Sequence, residues 1–568
     1  MLERTMTTQL LLMTIAVLFW LLYLGSRRFV GQRFGRRSAA HQQVGHLFYG
    51  LLTLYAIGHI VFVGFAWFNR AGFPLNLETM ELLKLQHVRR LLSGLPLYVA
   101  PSADFIPLVY NPLYYYIVLP FTWIGGVNLY SLRMAAIVAA AGSYGVVFLA
   151  VRQSVARLAG SDHSNANAVR RRAVPSWLLS PSWWGLMAVG LMAAAFRVMD
   201  TYLDNAAADS WTLLTILLGS YLISLHRSRL VNFTGLLLLI AAFWLKQYGA
   251  IFTLGAVGYL TWREGWRSWP YWLVAIGLGP LLYFALPAQW VGPEFHYYTW
   301  DVPRQWAEFS LNSTILRVIK YIVKHFGWLM LSAGLVWLWQ IARNTRTLTI
   351  WNFLLPFALL SGPYVALDPG NNNNVFIPLA TWLIITGVTA TYVLMTNLRP
   401  AQRFAAPLLF LSASFALVAY QPATILIPHT AQASYQDLVH TLEELHAAVY
   451  APGIGQLQDH ELFSPTVHWV TLIDLIRRPG VDLCDQPLAR RLLDPVFHPS
   501  GPAYILLEHP LDEDALLAFL SDVYVLDTDF GNRFIALRDS PKLLEVGWPT
   551  YLYRYDPPLG KADSWRCG

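Results

Sequence analysis

The chain has 568 residues, of which 56% are hydrophobic and only 13% are charged. In a soluble protein about a quarter of the residues are charged. Several apolar runs here reach about 18 residues, the length that crosses a bilayer as a helix. The composition therefore excludes an ordinary soluble domain and predicts a polytopic α-helical membrane protein. The net charge of +7 combines a basic body, with 30 basic and 13 acidic residues over 1–429, and an acidic tail over 430–568, a division that does not indicate a nucleic-acid-binding protein.

The N-terminal apolar run predicts a first transmembrane helix over about residues 8–25. Basic residues mark the cytoplasmic side of a membrane helix, and this run is followed by Arg27, Arg28, Arg33, Arg36 and Arg37. Because no small-residue cleavage site follows the run, we interpret it as a retained helix with an extracytoplasmic N-terminus. A second helix, over about 46–68, returns the chain to the outer face.

Residues 69–129 are then expected to form a long outer loop. Within it, apolar residues at helical spacing predict a surface helix over 79–92. The apolar segment 111–125 is short and contains Pro120. If it crossed the membrane, a later loop rich in arginine would lie outside, so we interpret it as a juxtamembrane or re-entrant helix.

Ten further crossings bring the predicted total to about twelve. They cover approximately 131–152, 183–198, 210–226, 230–245, 248–262, 268–287, 326–342, 348–367, 374–396 and 404–420. Each loop that this arrangement places inside is basic, as the positive-inside rule requires. One outer loop, about 288–325, is also basic, and phosphate binding would explain it. Its cations are Arg304, Arg317, Lys320 and Lys324.

The character of the chain changes after Pro422, and we divide it into a membrane domain over 1–429 and a soluble domain over 430–568. A helix over 435–450 and strands over 504–508, 523–527 and 533–537 predict a small α/β or α+β domain. An even number of crossings places it outside. Its two cysteines, Cys484 and Cys567, could form a disulfide there or stay unpaired.

Acidic residues in the membrane domain are concentrated in five outer loops, which hold ten of the thirteen. Acids are rare and costly among so many apolar residues, so this clustering indicates a functional site on the outer face. The ten are Glu78, Glu81, Asp104, Asp200, Asp204, Asp209, Glu294, Asp301, Glu308 and Asp368.

Four short motifs follow one another on this face. The first outer loop carries Glu78 and Glu81, then Gly94–Tyr98 (GLPLY), then Tyr110–Tyr114 (YNPLY). The next three are Ala208–Thr212 (ADSWT), Ala242–Gln247 (AFWLKQ) and Asp368–Phe376 (DPGNNNNVF).

In this order, over residues 70–420, the motifs resemble those of the glycosyltransferase C superfamily. That superfamily includes the protein O-mannosyltransferases and the aminoarabinose transferases. Many members carry an Asp-Glu pair where this chain has Met80-Glu81.

The resemblance implies an inverting glycosyltransferase that takes a sugar from a polyprenyl-phosphate donor and passes it, on the outer face of the plasma or inner membrane, to a lipid, glycan or protein. Glu81, with Glu78 in reserve, would act as base or orient the acceptor, and Asp209 would complete an acidic pair. The expected substrate-binding residues are Tyr110, Lys246, Gln247, Arg304, Lys320, Asn373 and Asn374.

General chemistry agrees with these roles, since a hydroxyl acceptor needs a base and a leaving phosphate needs a cation. Outer carboxylates can hold a divalent cation, but no ligand spacing in the sequence argues for one.

Each of these residues also has a simpler explanation. The two glutamates could form the solvated face of a surface helix, Asp200, Asp204 and Asp209 could be loop acids or helix caps, and Lys246 could extend to the membrane interface. The loop cations could bind lipid headgroups, and the asparagines could form a turn. The alternative functions are a transporter or flippase of lipid-linked saccharides, and a non-catalytic scaffold.

Overall fold

The computed structural model describes residues 39–160, 180–343, 345, 348–397, 405–476, 492, 502–514, 517, 520–527, 530 and 549–556. Helices dominate the part before residue 445. Those of the first half are α1 (Ala39–Ala71), α2 (Glu81–Leu92), α3 (Leu113–Gly125), α4 (Leu129–Gly160), α5 (Pro181–Ala194), α6 (Asp209–Leu225), α7 (Arg229–Leu245) and α8 (Gly249–Glu264).

The second half begins with shorter, broken helices. They are α9 (Trp269–Ile276), α10 (Leu282–Ala285), α11 (Ala288–Val291) and α12 (Val302–Trp306). The helices that follow are α13 (Arg317–Arg343), α14 (Ile350–Phe353), α15 (Leu355–Val365), α16 (Ile377–Asn397), α17 (Ala405–Val418), α18 (His429–Glu444) and α19 (Trp469–Ile476).

Five helical stretches in the described ranges are long and apolar enough to cross a membrane: His46–Ala71, Leu129–Ala159, Leu311–Arg343, Asn373–Asn397 and Ala406–Thr424. Eleven of the twelve predicted crossings coincide with helical segments, and the first, over 8–25, lies outside the described residues. The chain is therefore a helical protein with five candidate membrane-spanning helices in the described ranges, while the total of about twelve crossings stays a prediction.

Helices α6 and α7 pack in close contact, and this packing fixes the start of α6 beside the end of α7. A Cβ atom added at Gly219 would lie 2.6 Å from the carbonyl oxygen of Gly235, and one at Gly235 would lie 2.7 Å from that of Gly219. Small residues let helices in a membrane approach to backbone contact. Because a three-residue connection makes the two helices antiparallel, Asp209 at the start of α6 lies beside Lys246 at the end of α7.

Helix α2 is buried, so the expectation of a surface helix was wrong. Its buried residues include Leu82, Leu85, His87 and Val88. The tail covers it, because Gln456 Nε2 donates to the Leu82 carbonyl at 3.0 Å. Helix α3 has 13 residues, which is too short to span a bilayer, and its juxtamembrane or re-entrant position stays a prediction.

An ion pair between Glu81 and Arg133 holds α2 against α4. Arg133 donates to both carboxylate oxygens of Glu81, at 2.9 and 2.6 Å, and neither side chain is exposed. Glu81 also accepts from the backbone amides of Leu77 at 2.5 Å and Ala206 at 2.7 Å. One carboxylate thus joins three segments of the chain. Burial alone would raise the pKa of Glu81, but Arg133 and these amides lower it below its ordinary value.

The described part of the tail contains the helices α18 and α19 and a four-stranded sheet in the order β1-β2-β4-β3. The strands are β1 (Val449–Tyr450), β2 (Tyr504–Leu507), β3 (Tyr524–Leu526) and β4 (Tyr551–Tyr555). β1 is parallel to β2, and β4 is antiparallel to β2 and β3. The described part of the tail is thus an α+β arrangement, and the domain boundary at 429/430 stays a prediction.

Three details of the tail differ from the sequence expectation or fall outside it. The helix predicted over 435–450 begins at His429 and ends at Glu444, and its last two predicted residues form β1. β4 was not predicted. The strand predicted over 533–537 and both cysteines lie outside the described residues.

Arg133→Met should destabilise the protein by about 3–5 kcal/mol, because it leaves the Glu81 carboxylate buried without a partner. Thermal unfolding of the detergent-solubilised protein measures this as a lower midpoint. Lys320→Met, which removes an exposed lysine from α13, is the control and should leave the midpoint within about 1 °C. Equal midpoints for the two variants would contradict the role given to Arg133.

Candidate active site

Two connected cavities lie where the membrane helices meet the loops and the tail. The larger has a volume of about 920 Å³, within the range of small-molecule sites, and the smaller is a narrow recess of about 70 Å³. The residues that line both are Glu78, Met80, Tyr110, Tyr202, Lys246, Gly370, Asn371, Asn372 and Asn374. This shared wall makes the two cavities one site.

The first charged pair of the site joins Glu78 and Lys84. Their side chains meet at 2.6 Å and are only 4% and 5% exposed, respectively. Both line the recess, and Glu78 also lines the large cavity. Burial raises the pKa of Glu78 above its ordinary value, although the charge and hydrogen bond of Lys84 oppose the increase. Glu78 therefore holds a proton more readily than a free glutamate does.

The second charged pair joins Asp209 and Lys246 at 2.8 Å. Asp209 is 2% exposed and Lys246 is 8% exposed. Asn374 Nδ2 donates to the same Asp209 oxygen at 3.3 Å, and the Lys246 ammonium lies 5.6 Å from the centre of the Tyr110 ring. The Lys246 ammonium therefore lies between the Asp209 carboxylate, which Asn374 holds in place, and the Tyr110 ring, at the wall that the two cavities share.

The asparagine loop is fixed by Asp200. The backbone amide of Asn373 donates to Asp200 Oδ2 at 2.6 Å. Asp200 and the following residue, Thr201, both have left-handed backbone conformations, with φ of 55° and 57°. Such strain is retained where surrounding contacts impose it and is common at functional sites. In this conformation the Asp200 carboxylate reaches the backbone of the asparagine loop. Asn374 of the same loop contacts Asp209.

The buried pair of Arg70 and Asp204 fixes the segment that follows Asp200, with 2.8 Å between the paired atoms and neither side chain exposed. Arg70 also donates to Thr201 Oγ1 and Asn205 Oδ1. Burial raises the pKa of Asp204 to about 6, although Arg70 opposes the shift. Arg70 thus connects the end of α1 to the segment that carries Asp200 and leads into Asp209.

Most of the residues expected from the sequence come together here. Glu78, Tyr110, Asp209, Lys246 and Asn374 line the recess. Gln247 and Arg304 line the large cavity, and Gln247 Nε2 donates to the carbonyls of Val109 at 3.4 Å and Thr299 at 3.2 Å.

Three of the expected residues take other places. Asn373 approaches through its backbone amide. Glu81 is held in the Arg133 pair and is not among the residues that line either cavity. Lys320 is exposed on α13 and is likewise not among them.

Lys84 is the charged residue of the recess that the sequence analysis missed. It is the only lysine of α2, in a run of leucines, which was interpreted as a surface helix whose charges face water. The signal available in the sequence was the positive charge of Lys84 among leucines. This side chain can reach Glu78, six residues earlier, only if the loop that carries Glu78 folds over α2. No group of three or more His, Cys, Asp or Glu side chains positioned to bind a metal occurs among the described residues.

No family model matches the chain, and no curated protein matches it. Among solved structures, the chain is similar to ArnT from Cupriavidus metallidurans in the apo state, with a TM-score of 0.47 and 11% identity over 84% of this chain and 96% of that one. It is also similar to the same protein bound to undecaprenyl phosphate, with a TM-score of 0.44 and 12% identity over 81% and 93% of the two chains. ArnT is an aminoarabinose transferase, one of the groups that the sequence motifs resemble. Both TM-scores are below 0.5, so what this site does must follow from its own residues.

Lys246→Met should destabilise the protein by about 3–5 kcal/mol, because Asp209 would keep its buried charge without a cation. The double variant Lys246→Met/Asp209→Asn removes both charges and should recover more than half of that loss. Free energies of unfolding of the wild type, both single variants and the double variant give the coupling energy. Additive single effects would show that the two side chains do not interact.

Proposed function

We propose that the chain is a membrane glycosyltransferase that transfers a sugar from a polyprenyl-phosphate donor to an acceptor hydroxyl or amine. One observation carries the proposal: two buried carboxylate–lysine pairs lie at the polar end of a cavity whose other end is apolar. A cavity of this kind suits an amphiphile that carries an anion between a sugar and a hydrocarbon chain.

The apolar end fits the hydrocarbon part of such a donor. It is formed by membrane helices α7, α8 and α9, whose lining residues include Ile240, Leu254, Val257, Trp272 and Ile276. Helix α9 is interrupted beside this wall at Gly279 and Pro280, where the backbone leaves helical geometry. An isoprenoid chain could therefore lie against the helices while its phosphate reaches the lysines.

Lys84 and Lys246 are the proposed binding groups for the donor phosphate. Both line the recess, and a cation beside a departing phosphate stabilises the charge that develops in the transition state. Each lysine is held at the recess by a carboxylate, and its ammonium group shifts from the carboxylate to the phosphate when the phosphate arrives. Asn371, Asn372 and Asn374 add amide groups to the same recess.

Glu78 is the proposed base. It removes the proton from the acceptor while the acceptor oxygen or nitrogen bonds to the anomeric carbon, and the bond from that carbon to the phosphate oxygen breaks with its electron pair leaving on polyprenyl phosphate. The pKa of Glu78 is raised by burial, which strengthens it as a base. A phosphate that draws Lys84 away from Glu78 would strengthen it further.

Asp209 and Glu81 take different parts in this proposal. Asp209 orients Lys246 and does not contact the acceptor, because it lines the recess but is not among the residues lining the large cavity. Glu81, the first choice from sequence, holds the fold through Arg133. The predicted orientation, with this site and the tail on the outer face of the plasma or inner membrane, is part of the proposal.

Glu78→Gln should lower sugar release from the donor by about 10²–10⁴-fold, the usual contribution of a general base. The assay uses purified protein in nanodiscs and undecaprenyl-phosphate-linked mannose, glucose, arabinose and aminoarabinose. Asp104→Asn, at an exposed acid of the same outer loop, is the control and should retain full turnover. Normal turnover of Glu78→Gln, with an unchanged unfolding midpoint, would refute the base assignment.

The pH dependence offers a second test. A base works as the carboxylate, so turnover should rise with pH as Glu78 loses its proton, and this limb should lie above the ordinary glutamate pKa of 4.5. Lys84 opposes the increase in that pKa, so Lys84→Met should move the limb to higher pH as well as slow the reaction. Turnover profiles across the acidic and neutral range for the wild type and Lys84→Met make the comparison. If turnover rises over the same pH range in Lys84→Met as in the wild type, Glu78 is not the group whose loss of a proton controls turnover.

A further inference from the structure

The tail contributes one wall of the large cavity through helix α19. Trp469, Val470, Ile473 and Asp474 all line the cavity. Their spacing places them on a single face of a helix. This face points toward the proposed reaction centre, and the rest of α19 packs into the tail.

The start of α19 is rigidly placed. His468 is 1% exposed; its Nε2 lies 2.9 Å from the Gly453 carbonyl oxygen, and its Nδ1 accepts from the Val470 amide at 3.1 Å. Its ring stacks against Trp469 at 6.0 Å, and the Trp469 amide donates to the Pro452 carbonyl at 3.0 Å. These contacts fix the indole before any ligand arrives.

The adjoining wall belongs to the membrane domain and is attached to α19. Trp306 Nε1 donates to the Asp474 carbonyl oxygen at 2.9 Å, and Trp300 and Arg304 line the same cavity. The charge of Asp474 contributes to the raised pKa of Tyr110, after the larger effects of burial and of Glu78, which shows that its carboxylate lies within electrostatic reach of the recess. The space between these walls therefore adjoins the anomeric carbon of a donor bound at the lysines.

The chemistry of these walls favours one class of ligand. Indole faces pack on the C–H faces of a sugar ring, and a carboxylate accepts hydrogen bonds from two hydroxyls. The charged side chains that line the large cavity are three acids and two bases: Glu78, Asp368, Asp474, Lys246 and Arg304. With the two bases opposed by three acids, a polyanion would be repelled, whereas a neutral polyol would not.

We propose that the inward face of α19 is the acceptor subsite and that it binds an uncharged, hydroxyl-rich glycan. Trp469 packs on a sugar ring, and Asp474 accepts from its hydroxyls and directs one of them toward Glu78. This inference rests on the proposed glycosyltransferase function, which it narrows to a glycan acceptor. It also gives the tail a direct part in substrate choice.

Saturation-transfer NMR on the full chain in nanodiscs tests the subsite. The probes are maltotriose, mannotriose, arabinotriose and cellotriose, with trigalacturonate as the anionic comparison. At least one neutral trisaccharide should show saturation transfer, and Asp474→Asn and Trp469→Leu should each reduce it at least about five-fold, the loss expected when a hydrogen-bonding or stacking partner worth about 1 kcal/mol is removed. Asp437→Asn, at an exposed acid of α18, is the matched control and should leave the signal unchanged.

The subsite is overturned if no neutral trisaccharide binds the wild type, if both variants bind as the wild type does, or if trigalacturonate binds more tightly than the neutral probes. Unfolding midpoints of the variants establish that they are folded. Because Asp474→Asn is isosteric, the test stays valid even if Trp469→Leu does not fold. Sugar release from the donor panel by the wild type is measured in parallel. Glycan binding without sugar release would support glycan binding at this face of α19 but refute both the glycosyltransferase and the role of the face as an acceptor subsite. Sugar release without glycan binding would support the glycosyltransferase and refute the subsite.

Discussion

Burying a carboxylate among apolar helices costs several kcal/mol unless a cation accompanies it, and this constraint organises the centre of the molecule. Four buried ion pairs surround the cavities in the described residues: Glu81–Arg133, Asp204–Arg70, Glu78–Lys84 and Asp209–Lys246. The two arginine pairs are fully buried and tie loops to helices through several hydrogen bonds each. The two lysine pairs line the recess. Arginine forms fixed multidentate contacts, while lysine is a mobile point charge that can exchange partners, so the first type suits a scaffold and the second suits a site that must receive an anion.

The sequence carries much of this arrangement. The concentration of acids in the outer loops identifies the loops that converge, and Tyr110, Asp209, Lys246 and Asn374 do line one recess. It could not distinguish Glu78 from Glu81, because the two are three residues apart and either could face the cavity. Arg133 determines which glutamate faces the cavity, because it pairs with Glu81. It lies 52 positions after Glu81, so no local sequence pattern indicates the pair. Lys84 was missed for the same reason, since only the covering tail makes its helix an interior one.

Apolar runs long enough to cross a bilayer were the most reliable guide to the fold. Long apolar runs located the helices, such as α4 and α16, but not the interruption at Gly279 and Pro280, where a single predicted crossing over 268–287 becomes two short helices. In the tail, β4 escaped prediction because a five-residue strand is defined by the neighbours that it pairs with, here β2 and β3. Lys320 was expected at the donor because its loop is basic, yet α13 begins at Arg317 and turns Lys320 outward.

In the proposed mechanism, Lys84 and Lys246 together receive the phosphate of an isoprenoid donor. An electron cryomicroscopy structure of the full chain in nanodiscs with undecaprenyl phosphate tests this placement. We expect density for the phosphate in the recess, within hydrogen-bond distance of both ammonium groups, and isoprenoid density along α7, α8 and α9. Phosphate density outside the recess, with both lysines still paired to Glu78 and Asp209, would contradict it.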